Sequence, residues 1–198
     1  MSIKEINISP EIKALIFDCD GTLADTMDLH WEAWHAALAF YGKKLEQDYL
    51  DTMRGVPTLL MVEKINRDLG WNVDPEEFAE EKENRLIAVL DRVKPIAPVV
   101  ELALRYKDKM PMAVASGGER ETVLATLEKI ELGNFFDTVL TAADDVAPKP
   151  APDIFLEAAR RMNIEPQHCL VLEDGDAGIQ AAKDAGMHIL DVRPILND

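Results

Sequence analysis

Five short apolar runs, separated by helical patterns, limit what this chain can fold into. They are KALIFD ending at Asp18, PMAVAS ending at Ser116, TVLTA after Asp137, CLVLED ending at Asp174, and HILDV near the C-terminus. Strands that alternate with helices build a parallel sheet, because a parallel connection needs a crossover long enough to hold a helix. Strands covered on both faces are almost continuous in apolar residues, as these are. The first two runs are much further apart than the others. From Thr26 to about Pro95 the pattern is helical throughout, in MDLHWEAWHAALAFYG, LLMVEKINRDLG and PEEFAEEKENRLIAVLDRV. Gly42, Gly70 and the pair Asp74-Pro75 punctuate these segments, the last as an N-cap followed by proline at the first helical position. The expectation is an α/β protein whose core comes from residues 1–25 and 96–198, with a helical bundle inserted at 26–95. The two crossings, near Ala24 to Met27 and Lys94 to Pro98, are candidate hinges. The chain shows no internal repeat and no low-complexity segment.

Composition narrows the partners. A chain of 198 residues that is 47% hydrophobic fits one core plus a small insertion and excludes disorder. A formal net charge of −16 argues against nucleic acid and against an anionic membrane, both of which would repel it. A small anionic substrate stays admissible if a local lysine or bound metal offsets its charge. The segment MSIKEINISPEIK carries charges throughout and has no apolar leader core, and no run approaches a membrane span. The chain is therefore expected to be soluble and cytoplasmic, as a monomer or weak dimer. Cys19 and Cys169 lie in apolar runs and read as small buried thiols, with Cys19 facing away from its acidic neighbours.

The chemistry concentrates where the runs end. In LIFDCDGTLADT, Asp18 and Asp20 would project to one side if extended geometry persists, and Gly21 lets the chain turn. One carboxylate so placed can attack an electrophile or hold a cation, while the other exchanges protons; the alternative is an acidic turn after a buried strand. Open parallel sheets bind ligands beyond the carboxyl ends of their strands, so residues after each run converge. These include Ser116-Gly117-Gly118, a hydroxyl beside glycine amides that suits a phosphate at a helix start. They also include Lys149 in APKPAPDIF, which reads either as a solvated lysine or as a cation for phosphoryl oxygens, and its place at the sheet end favours the second. Asp174 and Glu173 offer hard oxygens that with Asp18 could hold Mg²⁺, Asp174 directly and Glu173 as a weaker contributor.

In this order, DCDGTLADT, Ser116, Lys149 in KPAPDIF, and EDGDAGIQAAKDAGM resemble the haloacid dehalogenase superfamily over essentially the whole chain. The insertion after the first motif is similar to that of the β-phosphoglucomutase-like branch, and within it to phosphatases of fructose 1-phosphate or 6-phosphogluconate. The resemblance implies a Rossmann-like core with a mobile four-helix cap. It also implies Asp18 as nucleophile, Asp20 as general acid and base, Ser116 and Lys149 as phosphate binders, and Asp174 as magnesium ligand. It further implies that the backbone carbonyl of Asp20, rather than its side chain, binds the metal. The reaction implied is Mg²⁺-dependent hydrolysis of a small sugar phosphate through an aspartyl-phosphate, with Asp20 needing a pKa raised by its acidic neighbours or by cap closure to exchange protons.

Trp31 and Trp34, three apart on a helix, read as cap packing. His30 matches a histidine of that branch that lies near substrate, so packing and substrate contact both remain open. Lys82 resembles a cap lysine of the same branch. No acid lies one helical turn from it, where Phe78, Ala79, Arg85 and Leu86 stand, and a solvated, unpaired lysine is the stronger expectation. Thr58, in RGVPTLLMVEK, stands roughly where mutases carry an arginine for the second phosphate, which weighs against mutase chemistry. Gly175 stands where many relatives have serine. A β-phosphoglucomutase would use the same core, whereas a haloacid dehalogenase would lack Asp20 and the metal. A non-enzymatic calcium loop fails because its sixth and twelfth positions from Asp18 are Leu23 and Leu29.

Overall fold

The computed structural model describes residues 8–53 and 55–196. Met1–Asn7, the part of the N-terminus read for a leader, and Arg54 lie outside the described residues. In chain order the elements are β1 (Ala14–Phe17), β2 (Ala24–Asp25), α1 (Met27–Phe40), α2 (Gln47–Asp51), α3 (Thr58–Leu69) and α4 (Pro75–Val89). Then follow β3 (Lys94–Pro95), α5 (Ala97–Tyr106), β4 (Met112–Ala115), α6 (Arg120–Lys129), β5 (Thr138–Leu140), α7 (Asp153–Met162), β6 (Cys169–Glu173), α8 (Asp176–Asp184), β7 (His188–Asp191) and α9 (Arg193–Leu196). No described helix is long and apolar enough to cross a membrane.

All five expected runs are strands of one parallel sheet, in the order β5-β4-β1-β6-β7. β1 is central, with Leu15 in register with Met112 on one side and Leu170 on the other. Alternation along β1 divides the core into two layers. Leu15 and Phe17 join Val114 and Leu172 beneath Val99 and Leu102 of α5 and Val123 and Leu127 of α6. Ala14 and Ile16 face the other way, onto Phe155 and Ala158 of α7 and Ala181 and Ala182 of α8. The many alanines in that second layer let α7 and α8 approach the sheet closely. The chain runs from β1 outward to β4 and β5, then crosses back to β6 and β7, so strand order reverses at β1. A ligand crevice is expected beyond the carboxyl end of such a point.

The inserted segment forms its own small core. Trp31, Trp34 and Leu38 of α1 pack with Leu50 of α2, Met61 and Ile65 of α3, and Phe78 of α4. Phe78 lies 5.1 Å from Trp34 and 5.2 Å from Tyr41, ring to ring. Asp74 caps α4 as the sequence predicts, accepting from the amides of Glu76 and Glu77 at 2.9 and 3.0 Å. Gly70 ends α3 in the left-handed region, at φ +65°. The short α2 was not expected, because QDYLD is too brief to show a period. The two crossings pair with each other: β2 and β3 form an antiparallel ribbon, Ala24 opposite Pro95 and Asp25 opposite Lys94.

Candidate active site

Immediately after β1 the chain turns tightly. The carbonyl of Cys19 accepts from the amides of Thr22, Leu23 and Ala24 at 3.3, 2.9 and 3.0 Å, and Gly21 takes φ +83°. A side chain at Gly21 would also place its Cβ 2.4 Å from Oδ2 of Asp174, so the turn and the approach of Asp174 both need glycine. The turn holds Asp18 and Asp20 in the wall of one cavity between sheet and helical insertion, while Cys19 is fully buried in the core. Both cysteines are free and buried, as expected, and burial pushes both thiols up.

Lys149, with its side chain wholly buried, organises the floor. Its Nζ donates to Oδ1 of Asp18 at 2.8 Å and to Oε2 of Glu173 at 2.7 Å. The other oxygen of Glu173 accepts from the amides of Asp174 and Gly175 at 3.2 and 2.9 Å, and Thr22 donates to Oδ1 of Asp174 at 3.2 Å. A Cβ at Gly178 would fall 1.9 Å from Glu173, so α8 comes this close only as glycine. Ligand atoms of Asp18, Glu173 and Asp174, all buried, lie within 4.8 Å of one another. Asp18 and Glu173, both buried, share the one ammonium of Lys149. Burial pushes Asp18 upward and raises Glu173 to about 8, with the Asp18 charge adding to the latter. A hard divalent cation fits this all-oxygen set. Glu173, the last residue of its strand, turns inward, and both its oxygens are engaged, by Lys149 and by backbone amides.

The cap side is a second network. Thr26 donates to Oδ1 of Asp20 at 2.7 Å, and Nε2 of His30 lies 3.2 Å from the same oxygen. Nζ of Lys82 is 3.0 Å from Nδ1 of His30 and donates to Oε1 of Glu83 at 2.7 Å. An ammonium can only donate, so Nδ1 is the acceptor and a neutral imidazole carries its proton on Nε2, toward Asp20. Glu83 in turn accepts from Thr58 at 3.2 Å and from Thr122 of α6 at 2.8 Å, which ties the insertion to the core.

These positions amend several expectations. Lys82 is 2% exposed rather than solvated; its acid is the adjacent Glu83, reached by a long side chain despite the poor helical spacing. Asp20 turns its carboxylate to Thr26 and His30, so its side chain is outside the acidic cluster, which is no departure from a reading that gives the metal its backbone carbonyl. Its pKa, however, is not raised: burial pushes it up, but His30, Thr26 and Lys82 overcome that and hold it at about 2. Ser116, buried at the end of β4, accepts from the Gly118 amide at 3.0 Å, and α6 starts only at Arg120, so this loop precedes the helix rather than opening it. Gly117 lies against the insertion, where a Cβ would fall 2.3 Å from the Gly55 carbonyl. Trp31 and Trp34 pack in the cap as expected, and both also edge the cavity. Thr22, Thr26, Glu83 and Thr122 were missed. The first two stand inside the DCDGTLADT motif and could have been suspected there; the pairing of Glu83 with Thr122 leaves no trace in sequence spacing.

A parallel sheet that presents a lysine-bridged carboxylate and an acid cluster able to hold a cation, beneath a helical insertion, has the make-up of an enzyme of the α/β class. A family model described as haloacid dehalogenase-like hydrolase matches residues 12–186, and the chain belongs to that family. It is 39% identical over 180 residues to the fructose-1-phosphate phosphatase YqaB of Escherichia coli, covering 90% of this chain and 95% of that protein. It is 30% identical over 190 residues to the phosphorylated carbohydrates phosphatase of Thermotoga maritima, covering 94% and 88%. The crystal structure of β-phosphoglucomutase from Clostridium difficile superposes with a TM-score of 0.80 at 25% identity, covering 91% of this chain and 84% of that one. The protein is an enzyme, a phosphatase of the haloacid dehalogenase type.

Proposed function

We propose that this enzyme hydrolyses small sugar monophosphates, of the fructose 1-phosphate or 6-phosphogluconate kind, with Mg²⁺ as cofactor. The observation that carries the proposal is the bridging of Asp18 and Glu173 by Lys149 at the sheet end, with Asp20 lining the same cavity. The similarity to a fructose-1-phosphate phosphatase supports the substrate class. We read residues 26–95 as the cap and the remainder as the core.

Asp18, Asp174 and Glu173 would hold the metal, which when bound neutralises phosphoryl oxygens and so lowers the repulsion met by an anionic nucleophile. Lys149 adds a fixed positive charge beside Asp18. Ser116 and the Gly117 loop seat the phosphate. The Asp18 carboxylate forms a P–O bond as the bond to the leaving alkoxide breaks, and water then cleaves the acyl phosphate to regenerate Asp18 and release phosphate. Asp20 stands ready in the ionised form that a base needs to deprotonate that water. To protonate the leaving alkoxide it must first take up a proton, which slackening of its contacts with His30 and Thr26 allows.

A mutase reading has one support, the similarity to β-phosphoglucomutases, and Thr58 in place of the arginine weighs against it. Phosphorus NMR separates the two. Release of inorganic phosphate from fructose 1-phosphate, with little conversion of β-glucose 1-phosphate to glucose 6-phosphate, is the expected result. Isomerisation outrunning phosphate release would install the mutase instead.

A further inference from the structure

Glu83 has no part in the chemistry just described, yet its carboxylate lines the substrate cavity. Oε1 accepts from Lys82 at 2.7 Å and from Thr58 at 3.2 Å, and Oε2 accepts from Thr122 at 2.8 Å. A carboxylate has about four acceptor sites, so these three donors leave room for one more. Burial pushes this carboxyl toward the neutral form, but Lys82, His30 and Thr122 overcome it and keep Glu83 below its ordinary value, hence ionised. Among the described residues lining the cavity, Lys82 is the one lysine or arginine, and Glu83 and His30 already share its ammonium.

We propose that Glu83 is a specificity-determining residue: it accepts a hydrogen bond from a hydroxyl of an uncharged polyol leaving group and disfavours substrates that carry a second anionic group. A second phosphate or a carboxylate brought to the cap side gives up its water and meets a fixed negative charge. Among the described residues lining the cavity the cation there, Lys82, is already committed. A hydroxyl in the same place donates to the open acceptor site. Sites built around a buried polar group reject ligands that cannot complete its hydrogen bonds. The inference rests on the reading of this cavity as a phosphate-monoester site, and it separates the two sugar phosphates which that reading leaves together.

Glucitol 6-phosphate and 6-phosphogluconate test it, because they share an open carbon chain and a phosphate and differ in a hydroxymethyl against a carboxylate at the far end. The expected kcat/KM ratio in the native enzyme with Mg²⁺ favours glucitol 6-phosphate by about tenfold, one charge acting across a partly screened cavity. In Glu83→Gln, which keeps the shape and loses the charge, the ratio should fall toward one. Glu83→Asp should retain it. If the glutamine variant does not fold, Thr58→Lys, which sets a compensating cation beside Glu83, should move the ratio the same way. A native ratio near one, or a ratio unmoved in a folded Glu83→Gln, overturns the proposal. An enzyme that turns over neither compound, nor fructose 1-phosphate, takes it down together with the reading of the site.

Discussion

Lys149 donates to Asp18 at 2.8 Å across 131 residues of sequence, so the proposed nucleophile is paired with its cation before any substrate arrives. The same ammonium holds Glu173, and the site is therefore built around a charge rather than around the acid that does the attacking.

Asp18→Asn should abolish turnover, by about 10⁴-fold or more, while leaving the fold intact. The amide is nearly isosteric and can still accept from Lys149, but it is a poor nucleophile and a weaker metal ligand. Phosphate release and circular dichroism check the two halves. Appreciable residual activity in a folded variant would remove Asp18 from its role.

Lys149→Met leaves Asp18 and Glu173 buried without the ammonium that pairs them. Breaking a buried pair from one side costs about 3–5 kcal/mol, and the urea midpoint should fall accordingly. Added Mg²⁺ should restore part of the loss, because it supplies the missing charge. An unchanged midpoint without metal would show that the pairing contributes nothing to the fold.

Asp174→Ala should raise the Mg²⁺ concentration needed for half-maximal activity by at least about tenfold, since a carboxylate in the cluster is removed. Excess EDTA should silence the native enzyme. Full activity in EDTA would take the metal out of the mechanism.

Acid should loosen the cap before it unfolds the core. Burial pushes Glu83 up, yet Lys82, His30 and Thr122 hold it below its ordinary 4.5. A carboxyl lowered by folding stabilises the native state above its unfolded pKa, and that stability is lost as pH falls through the folded value. Asp20, held at about 2, extends the same trend to lower pH. Fluorescence of Trp31 and Trp34, which edge the cavity, should therefore change as the pH drops below 4.5, and Glu83→Gln should blunt the onset. A signal flat down to about pH 3 would contradict the coupling.

The floor of the site could be read in the sequence because each of its groups follows an apolar strand run, and parallel topology brings strand ends together. Asp18, Ser116, Lys149 and Asp174 are placed by that rule alone. The cap network could not be read in the same way. Lys82 was compared with residues one helical turn away, whereas its partners are the adjacent Glu83 and the distant His30. The state of Asp20 was misjudged for a related reason: its acidic neighbours are close in sequence, but its carboxylate faces Thr26 and the imidazole. Contacts between the cap and the core depend on how two separately packed bodies meet, and hydrophobic periodicity carries no record of that. The ribbon of β2 and β3 escaped notice because two residues are too few to show alternation.

That ribbon has a consequence for how such enzymes diversify. Because Asp25 and Lys94 stand opposite each other, the inserted segment begins and ends at one point on the core. The sheet has no geometric means of sensing how long that segment is or how it folds. A different helical block spliced between these two residues would leave the strands in register, while the state of Asp20, which Thr26, His30 and Lys82 set, would change with the ceiling. The strand-end carboxylates and the segment above them are thus joined in the chain by a four-residue ribbon, and Asp20 is where a change in one is felt by the other.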